Sequence, residues 1–191
     1  MLFYYPGDDN WWLGEVAGGQ LSWRLVGNTR GFGHGINDGR PFWVGDFNGD
    51  GKAEVLFYYP GDDNWWLGTL SAGQLRWSLV GNTRGFGHAI NDGRPFWTGD
   101  FTGNGSTDVL FYYPGDDSWW LGEVSQGQLR WRLVGNTRGF GHGINDGRPF
   151  WIGDFTGDGK ADVLFHHRGD LNWWRGALGQ GQFAWTLAAT W

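Results

Sequence analysis

The chain has 191 residues with 14 basic and 20 acidic side chains, no Cys and one Met. That length suffices for one domain with a real core, the lack of Cys excludes disulfides and thiolate chemistry, and a net charge of −6 argues against a nucleic-acid backbone as partner. Gly (37 residues) does not recur every third position, which excludes collagen; an aromatic content of 19% argues against disorder, and no apolar run reaches the roughly 18 residues of a membrane span.

The first predicted element is the aromatic strand Leu2 to Tyr5, directly after Met1, so the chain reads as having no signal peptide. The same run returns at a fixed interval: Phe3, Phe57, Phe111 and Phe165 are spaced by 54 residues, and residues 2–54 share 40 of 53 positions with residues 56–108. A period near 50 points to a propeller or another stacked array. One full period predicts four short strands: Pro95 to Phe101, Asp108 to Tyr113, Trp119 to Val124 and Gln128 to Val134, separated by Gly-, Pro- and Asp-rich turns. No segment carries a helical apolar stripe long enough to compete. The fold class is therefore all-β, a β-propeller of four-stranded antiparallel blades.

The phase of the repeat leaves the first blade without its inner strand. The chain reads as a single repeat domain, 1–191, with a partial unit 1–40 and full units 41–94, 95–148 and 149–191. The last unit diverges: His166-His167-Arg168-Gly169 replaces Tyr-Tyr-Pro-Gly, and Arg175 replaces Leu, as terminal repeats often do. Adjacent Trp residues such as Trp119-Trp120 suit a blade, since neighbouring strand residues point to opposite faces and a blade is covered on both.

Between the first two strands of each full unit lies an acidic turn, Asp46 to Glu54, Asp100 to Asp108 and Asp154 to Asp162. Oxygen-bearing residues at positions 1, 3, 5 and 9, with Gly at position 6, suit a hard cation such as Ca²⁺. The candidate ligands are Asp46, Asn48, Asp50, Glu54 and the Lys52 carbonyl; Asp100, Thr102, Asn104, Asp108 and the Ser106 carbonyl; and Asp154, Thr156, Asp158, Asp162 and the Lys160 carbonyl. The second copy keeps only two carboxylates and is expected to bind more weakly. The plainer alternative is a metal-free Asx turn joining two strands. The runs GDFNGDGKAEVLF, GDFTGNGSTDVLF and GDFTGDGKADVLF resemble the FG-GAP/VCBS repeats of integrin-like β-propellers. That resemblance implies Ca²⁺ in these turns, an extracellular setting, and a family that includes glycan-binding members.

A long connection, repeated at 27–43, 81–97 and 135–151, joins each unit to the next. It gathers Arg30, His34, Asn37, Asp38, Arg40 and Trp43, then Arg84, His88, Asn91, Asp92, Arg94 and Trp97, then Arg138, His142, Asn145, Asp146, Arg148 and Trp151. Donors and acceptors beside an aromatic ring suit a sugar, whose C–H face packs on the ring. The competing reading is that these Arg and Asp side chains pair to hold the crossing between blades. A metal shared by His34, His88 and His142 is a weaker alternative, and the Trp residues fit buried packing better than a ligand platform. Sequence motifs of the common hydrolases and phosphate-binding loops are absent, and the turn pair Asp8-Asp9 with its copies is accounted for by turn chemistry. The function expected is non-catalytic, lectin-like binding of glycans at repeated sites with Ca²⁺-stabilised turns, the alternative being a protein-interaction or scaffold propeller. An unpaired edge on Leu2 to Tyr5 further predicts a homodimer with the incomplete blades near the interface.

Overall fold

Among the residues described by the computed structural model, 1–32, 42–85, 95–138 and 148–190, the regular elements are fifteen strands and one 3-10 turn at Arg30–Phe32. No helix among them is long and apolar enough to cross a membrane. The strands form four antiparallel meanders in chain order. The first has three strands, β1 (Leu2–Tyr5), β2 (Asn10–Ala17) and β3 (Gln20–Asn28). The second has β4 (Phe42–Gly45), β5 (Glu54–Tyr59), β6 (Asn64–Ser71) and β7 (Gln74–Asn82). The third has β8 (Phe96–Gly99), β9 (Asp108–Tyr113), β10 (Ser118–Ser125) and β11 (Gln128–Asn136). The fourth has β12 (Phe150–Gly153), β13 (Asp162–His167), β14 (Asn172–Gly179) and β15 (Gln182–Ala189). Four-stranded blades, the first lacking its inner strand, are thus what the repeat phase predicts.

Each sheet carries the same irregularity. The pairing of β10 with β11 slips between Trp119, opposite Gly135, and Trp120, opposite Leu133, and the same slip falls at Trp11/Trp12, Trp65/Trp66 and Trp173/Trp174. The extra residue is Val26, Val80 or Val134 in the first three sheets, and each is buried. The bulge sharpens the local twist and aims the two indoles differently. Trp11, Trp65 and Trp119 are buried, whereas Trp12, Trp66 and Trp120 are only half-buried. The expectation of burial on both faces therefore holds fully for the first Trp of the pair in the first three sheets, while Trp173 in the fourth is half-buried. The half-burial of the second follows from its place on the opposite face.

The chain falls into two compact units, Met1–Val44 with Ala53–Gly85, and Gly45–Lys52 with Phe86–Trp191. In the first, Trp11, Val26, Val55 and Leu75 form the core, with Tyr4, Phe42 and Trp77 packed on it. Trp11 lies edge-on to Phe42 at 5.5 Å and to Trp77 at 5.4 Å, so the first two sheets meet through rings. In the second, Trp119 is the centre: Phe150, Phe183 and Trp185 of the fourth sheet surround it at 5.3–6.1 Å. Burying one indole is worth roughly 4–6 kcal/mol as an upper bound. The cost of its N–H is offset by a threonine: Trp11, Trp65 and Trp119 donate to the hydroxyls of Thr29, Thr83 and Thr137 at 3.2–3.4 Å.

A glycine lies beneath the other indole face of each sheet. A Cβ on Gly122 would meet the Trp131 ring at 2.6 Å, and the same conflict recurs at Gly14, Gly68 and Gly176. Gly122→Ala should therefore destabilise by about 1–3 kcal/mol, since a methylene forced into a packed site moves its neighbours. Gly179→Ala, where a Cβ meets nothing within 4 Å, should stay within about 0.5 kcal/mol. Denaturant unfolding of the two variants beside the parent chain checks both.

Candidate functional site

The acidic turns are built from the backbone inward. Asp46 opens the first: its carboxylate accepts the N–H groups of Gly49 (2.8 Å), Asp50 (3.0 Å) and Gly51 (2.8 Å). Gly49 and Gly51 have φ of 75° and 82°, which a Cβ disfavours, so the two glycines are what let the chain wrap the carboxylate. The second and third turns repeat the device with Asp100 and Asp154. Backbone donors led by Gly159 hold the Asp154 carboxyl below its ordinary range. These are the Asx turns of the plainer reading, closed by the protein's own N–H groups.

The last acid of each turn behaves differently. Glu54, Asp108 and Asp162 are almost wholly buried. Burial pushes Asp108 up to about 7, with the Glu123 charge adding to it, and burial raises Asp162 as well. Asp108 accepts the Thr102 N–H at 3.1 Å, and Asp162 that of Phe155 at 3.1 Å. In the first turn Asp46, Asp50 and Glu54 offer carboxylate oxygens all within 4.8 Å of one another. That donor set, three hard anionic oxygens with one nearly buried, fits Ca²⁺. Among the described residues no other acid or His trio gathers this way, so Asp154, Asp158 and Asp162 do not match it despite the same carboxylate count. Asn48 accepts the Asp50 N–H, Asp50 accepts that of Lys52 and ion-pairs with its ammonium at 3.8 Å, and Asn104 and Asp158 accept those of Ser106 and Lys160.

The connecting loops are described only at their ends. His34, Asn37, Asp38, Arg40, His88, Asn91, Asp92, Arg94, His142, Asn145 and Asp146 lie outside the described residues. The first Arg of each loop is placed. Arg30 pairs with Asp9 (3.7 Å), Arg84 with Asp63 (3.7 Å) and Arg138 with Asp117 (3.9 Å). Each of these Asp residues sits at φ near 60° and accepts a tyrosine hydroxyl, Tyr4 at 2.6 Å, Tyr58 at 2.5 Å and Tyr112 respectively. Burial, then the Asp63 carboxylate, drives the Tyr58 hydroxyl well above its ordinary range, and Tyr112 follows with Asp117. These arginines are thus tied to the preceding turn, and the turn aspartates do structural work. The Arg–Asp pairing runs to the turn pair of the same sheet, a link that loop spacing does not reveal.

The aromatic members separate. Trp43 stacks on Trp65 and Trp97 on Trp119, at 5.7 and 5.8 Å, as packing residues. Arg148 is buried with its guanidinium 5.2 Å over the Phe165 ring. Trp151, by contrast, is 42% exposed. It lines a cavity of about 450 Å³ with Pro149, His166, Arg168, Leu171 and Trp173. His166, Arg168 and Leu171 stand where the second and third units have Tyr, Pro and Asp. The divergence of the last unit was the only sequence signal for this cavity, and it does not by itself indicate an open face. His167 turns the other way, its Nδ1 2.9 Å from the Asp170 carboxylate, so the two histidines do not share a ligand.

Residues 46–111 match the family model of the FG-GAP-like repeat. No curated protein matches the sequence. Among solved structures, the chain is similar to a lectin of Agrocybe aegerita, whose structure is described as the basis of specific recognition of non-reducing terminal N-acetylglucosamine. The TM-score is 0.71 and the identity 19%, over 96% of this chain and 47% of that one. The chain thus spans about half the length of that lectin. Its fold is that of a β-propeller with an FG-GAP-like repeat, as the acidic turns implied.

The Tyr–Asp–Arg link makes its own prediction. Asp63→Ala removes the acceptor of Tyr58 and the partner of Arg84 at a left-handed position, and should cost about 1–3 kcal/mol. Asp63→Asn, which tolerates that backbone and still accepts the phenol, should cost less than half as much. Thermal melts of both variants decide it.

Proposed function

We propose that this chain is a non-catalytic, carbohydrate-binding propeller module that works outside the cell, with Ca²⁺ held in its first acidic turn. The observation that carries this reading is the agreement in fold, over nearly the whole chain, with a lectin that recognises terminal N-acetylglucosamine. The near-identical loops that begin at Arg30, Arg84 and Arg138 support it, because equivalent sites on one chain gain avidity without new contacts. In each, the His, Asn and Asp that follow would address hydroxyl or acetamido groups.

A glycan array with Ca²⁺ present is the test. Binding to multivalent glycans with terminal N-acetylhexosamine is expected, with a gain of roughly 10²–10⁴ over the monovalent sugar. Absence of binding to every glycan would overturn the reading and leave the protein-interaction module, which the exposed rings Phe3, Trp23 and Trp151 favour.

For the metal, Ca²⁺ at a hundred times its dissociation constant should stabilise the chain by about 2.7 kcal/mol, and EDTA should reverse this. Glu54→Gln should abolish the response. Asp100→Ala should leave most of it. A melting temperature indifferent to chelator would remove Ca²⁺ from the proposal.

A further inference from the structure

The second acidic turn departs from the other two at positions 5 and 7. Position 5 is Asp50 in the first turn and Asp158 in the third, but Asn104 in the second. Position 7 is Lys52 and Lys160, but Ser106 in the second. The opening aspartate, both glycines and the last acid are retained as Asp100, Gly103, Gly105 and Asp108. The exchange is not needed to hold the turn together. Asn104 accepts the Ser106 N–H at 2.7 Å, much as Asp50 and Asp158 accept those of Lys52 and Lys160 at 2.9 and 3.0 Å. Asp100 gathers Gly103 and Gly105 as Asp154 gathers Gly157 and Gly159.

What the exchange creates is Asn104-Gly105-Ser106, an Asn-x-Ser triplet whose middle residue is not Pro. No other asparagine of the chain has Ser or Thr two residues on. An amide at position 5 alone would not make an acceptor, because the enzyme that transfers the sugar also requires the hydroxyl at the third place. Two neutral residues would equally remove the Asp50–Lys52 type of ion pair, but that demands neither an amide at position 5 nor a hydroxyl at position 7. The geometry suits an acceptor. Asn104 is exposed. The Ser106 N–H engages its Oδ1, and its Nδ2 donates to no protein atom among the described residues. Gly105, at φ 86°, borders open space, since a Cβ there would meet nothing within 4 Å. A bulky group on Asn104 can therefore leave toward water.

We propose that Asn104 is an N-glycosylation site, its carboxamide accepting an oligosaccharide from a polyprenyl-pyrophosphate donor at a secretory membrane. Asn104 Nδ2 forms a bond to the anomeric carbon of the sugar, and the bond from that carbon to the pyrophosphate oxygen breaks. The amide gives up one proton, and the lipid pyrophosphate leaves. The proposal rests on the reading that the chain works outside the cell, and neither on glycan recognition nor on Ca²⁺. The sugar is attached covalently, so a chain that binds nothing on a glycan array still carries it. The second turn keeps two carboxylates, Asp100 and Asp108, and is not the turn proposed to hold Ca²⁺, so modification and metal do not compete.

The test is cell-free translation of the full chain behind a cleavable secretion leader, with microsomes present and protease added afterwards. Only translocated chains survive the protease. These should run heavier than the 21.5 kDa chain by one glycan, and peptide N-glycosidase should remove the excess and leave aspartate at position 104. Asn104→Gln and Ser106→Ala should each stay at the lower mass. Ser106→Thr should keep the shift, a rescue that depends on the hydroxyl and not on the packing of serine. The added leader supplies translocation, so the acceptor is tested separately from export of the natural chain. Three outcomes would overturn the proposal: translocated chains of unchanged mass, a shift that survives Asn104→Gln, or a shift that survives Ser106→Ala.

Discussion

Everything in this structure depends on a buried indole. Trp65 and Trp119 are wholly inaccessible, and each needs ring cover and a partner for its N–H; Trp119 takes that cover from the fourth sheet. Threonine supplies the partner from the same sheet, eighteen residues on, at the point where the meander leaves its last strand. Cover, however, comes from elsewhere. A single sheet of this kind, with rings on both faces, has no solvent-compatible side and gains stability only by stacking. That explains the repetition better than any functional argument. Within each unit one copy offers the surface that its neighbour requires, as the second sheet does for the first and the fourth for the third.

The bulge at each Trp pair shows how the constraint reaches the backbone. A regular ladder would set Val134 on a strand in step with β10; the slip between Trp119 and Trp120 instead buries this valine beside the indole. The glycine under Trp131 answers the same demand on the opposite face, since any side chain at Gly122 would hold the ring away from the sheet. Small residue and large ring are thus paired across adjacent strands, four times over. The acidic turn is autonomous by comparison. Asp46 and Asp100 close their loops with backbone donors, and Asp154 with backbone donors and the Thr156 hydroxyl, so a cation would act on the buried Glu54 and its neighbours and is not required to make the turn.

The architecture was legible because it is periodic. The 54-residue interval, the turn residues and the missing inner strand of the first sheet are all visible as spacing. Strand ends were less so: the run Pro95 to Phe101 reads as one strand, yet β8 stops at Gly99, where Asp100 begins to gather backbone N–H groups. The candidate site was legible in composition and poorly in pairing. Arg30 lies in a loop whose spacing suits either a ligand site or an Arg–Asp pairing; the partner it takes is Asp9, twenty-one positions earlier, because the strand pairing of β2 with β3 brings the two turns together. The first and third acidic turns carry the same number of carboxylates, yet among the described residues only the first brings three oxygens within 4.8 Å of one another; position 9 is Glu54 in the first and Asp162 in the third.

The last sheet shows what happens when the constraint is relaxed on one side. At the position of Tyr112 and its Asp117 partner it carries His166 and Leu171, so the phenol–carboxylate link is gone and a cavity stands in its place. Leu171 nevertheless keeps φ of 59°, a conformation that the aspartates of the other turns tolerate through local hydrogen bonding and that leucine adopts only at a cost. The backbone of the turn has therefore been retained while its polar chemistry was replaced by an exposed apolar side chain. A sheet evolving to face water would acquire the opposite change. The substitution instead keeps an apolar rim around Trp151 and Trp173, which is the property of a surface that meets another surface.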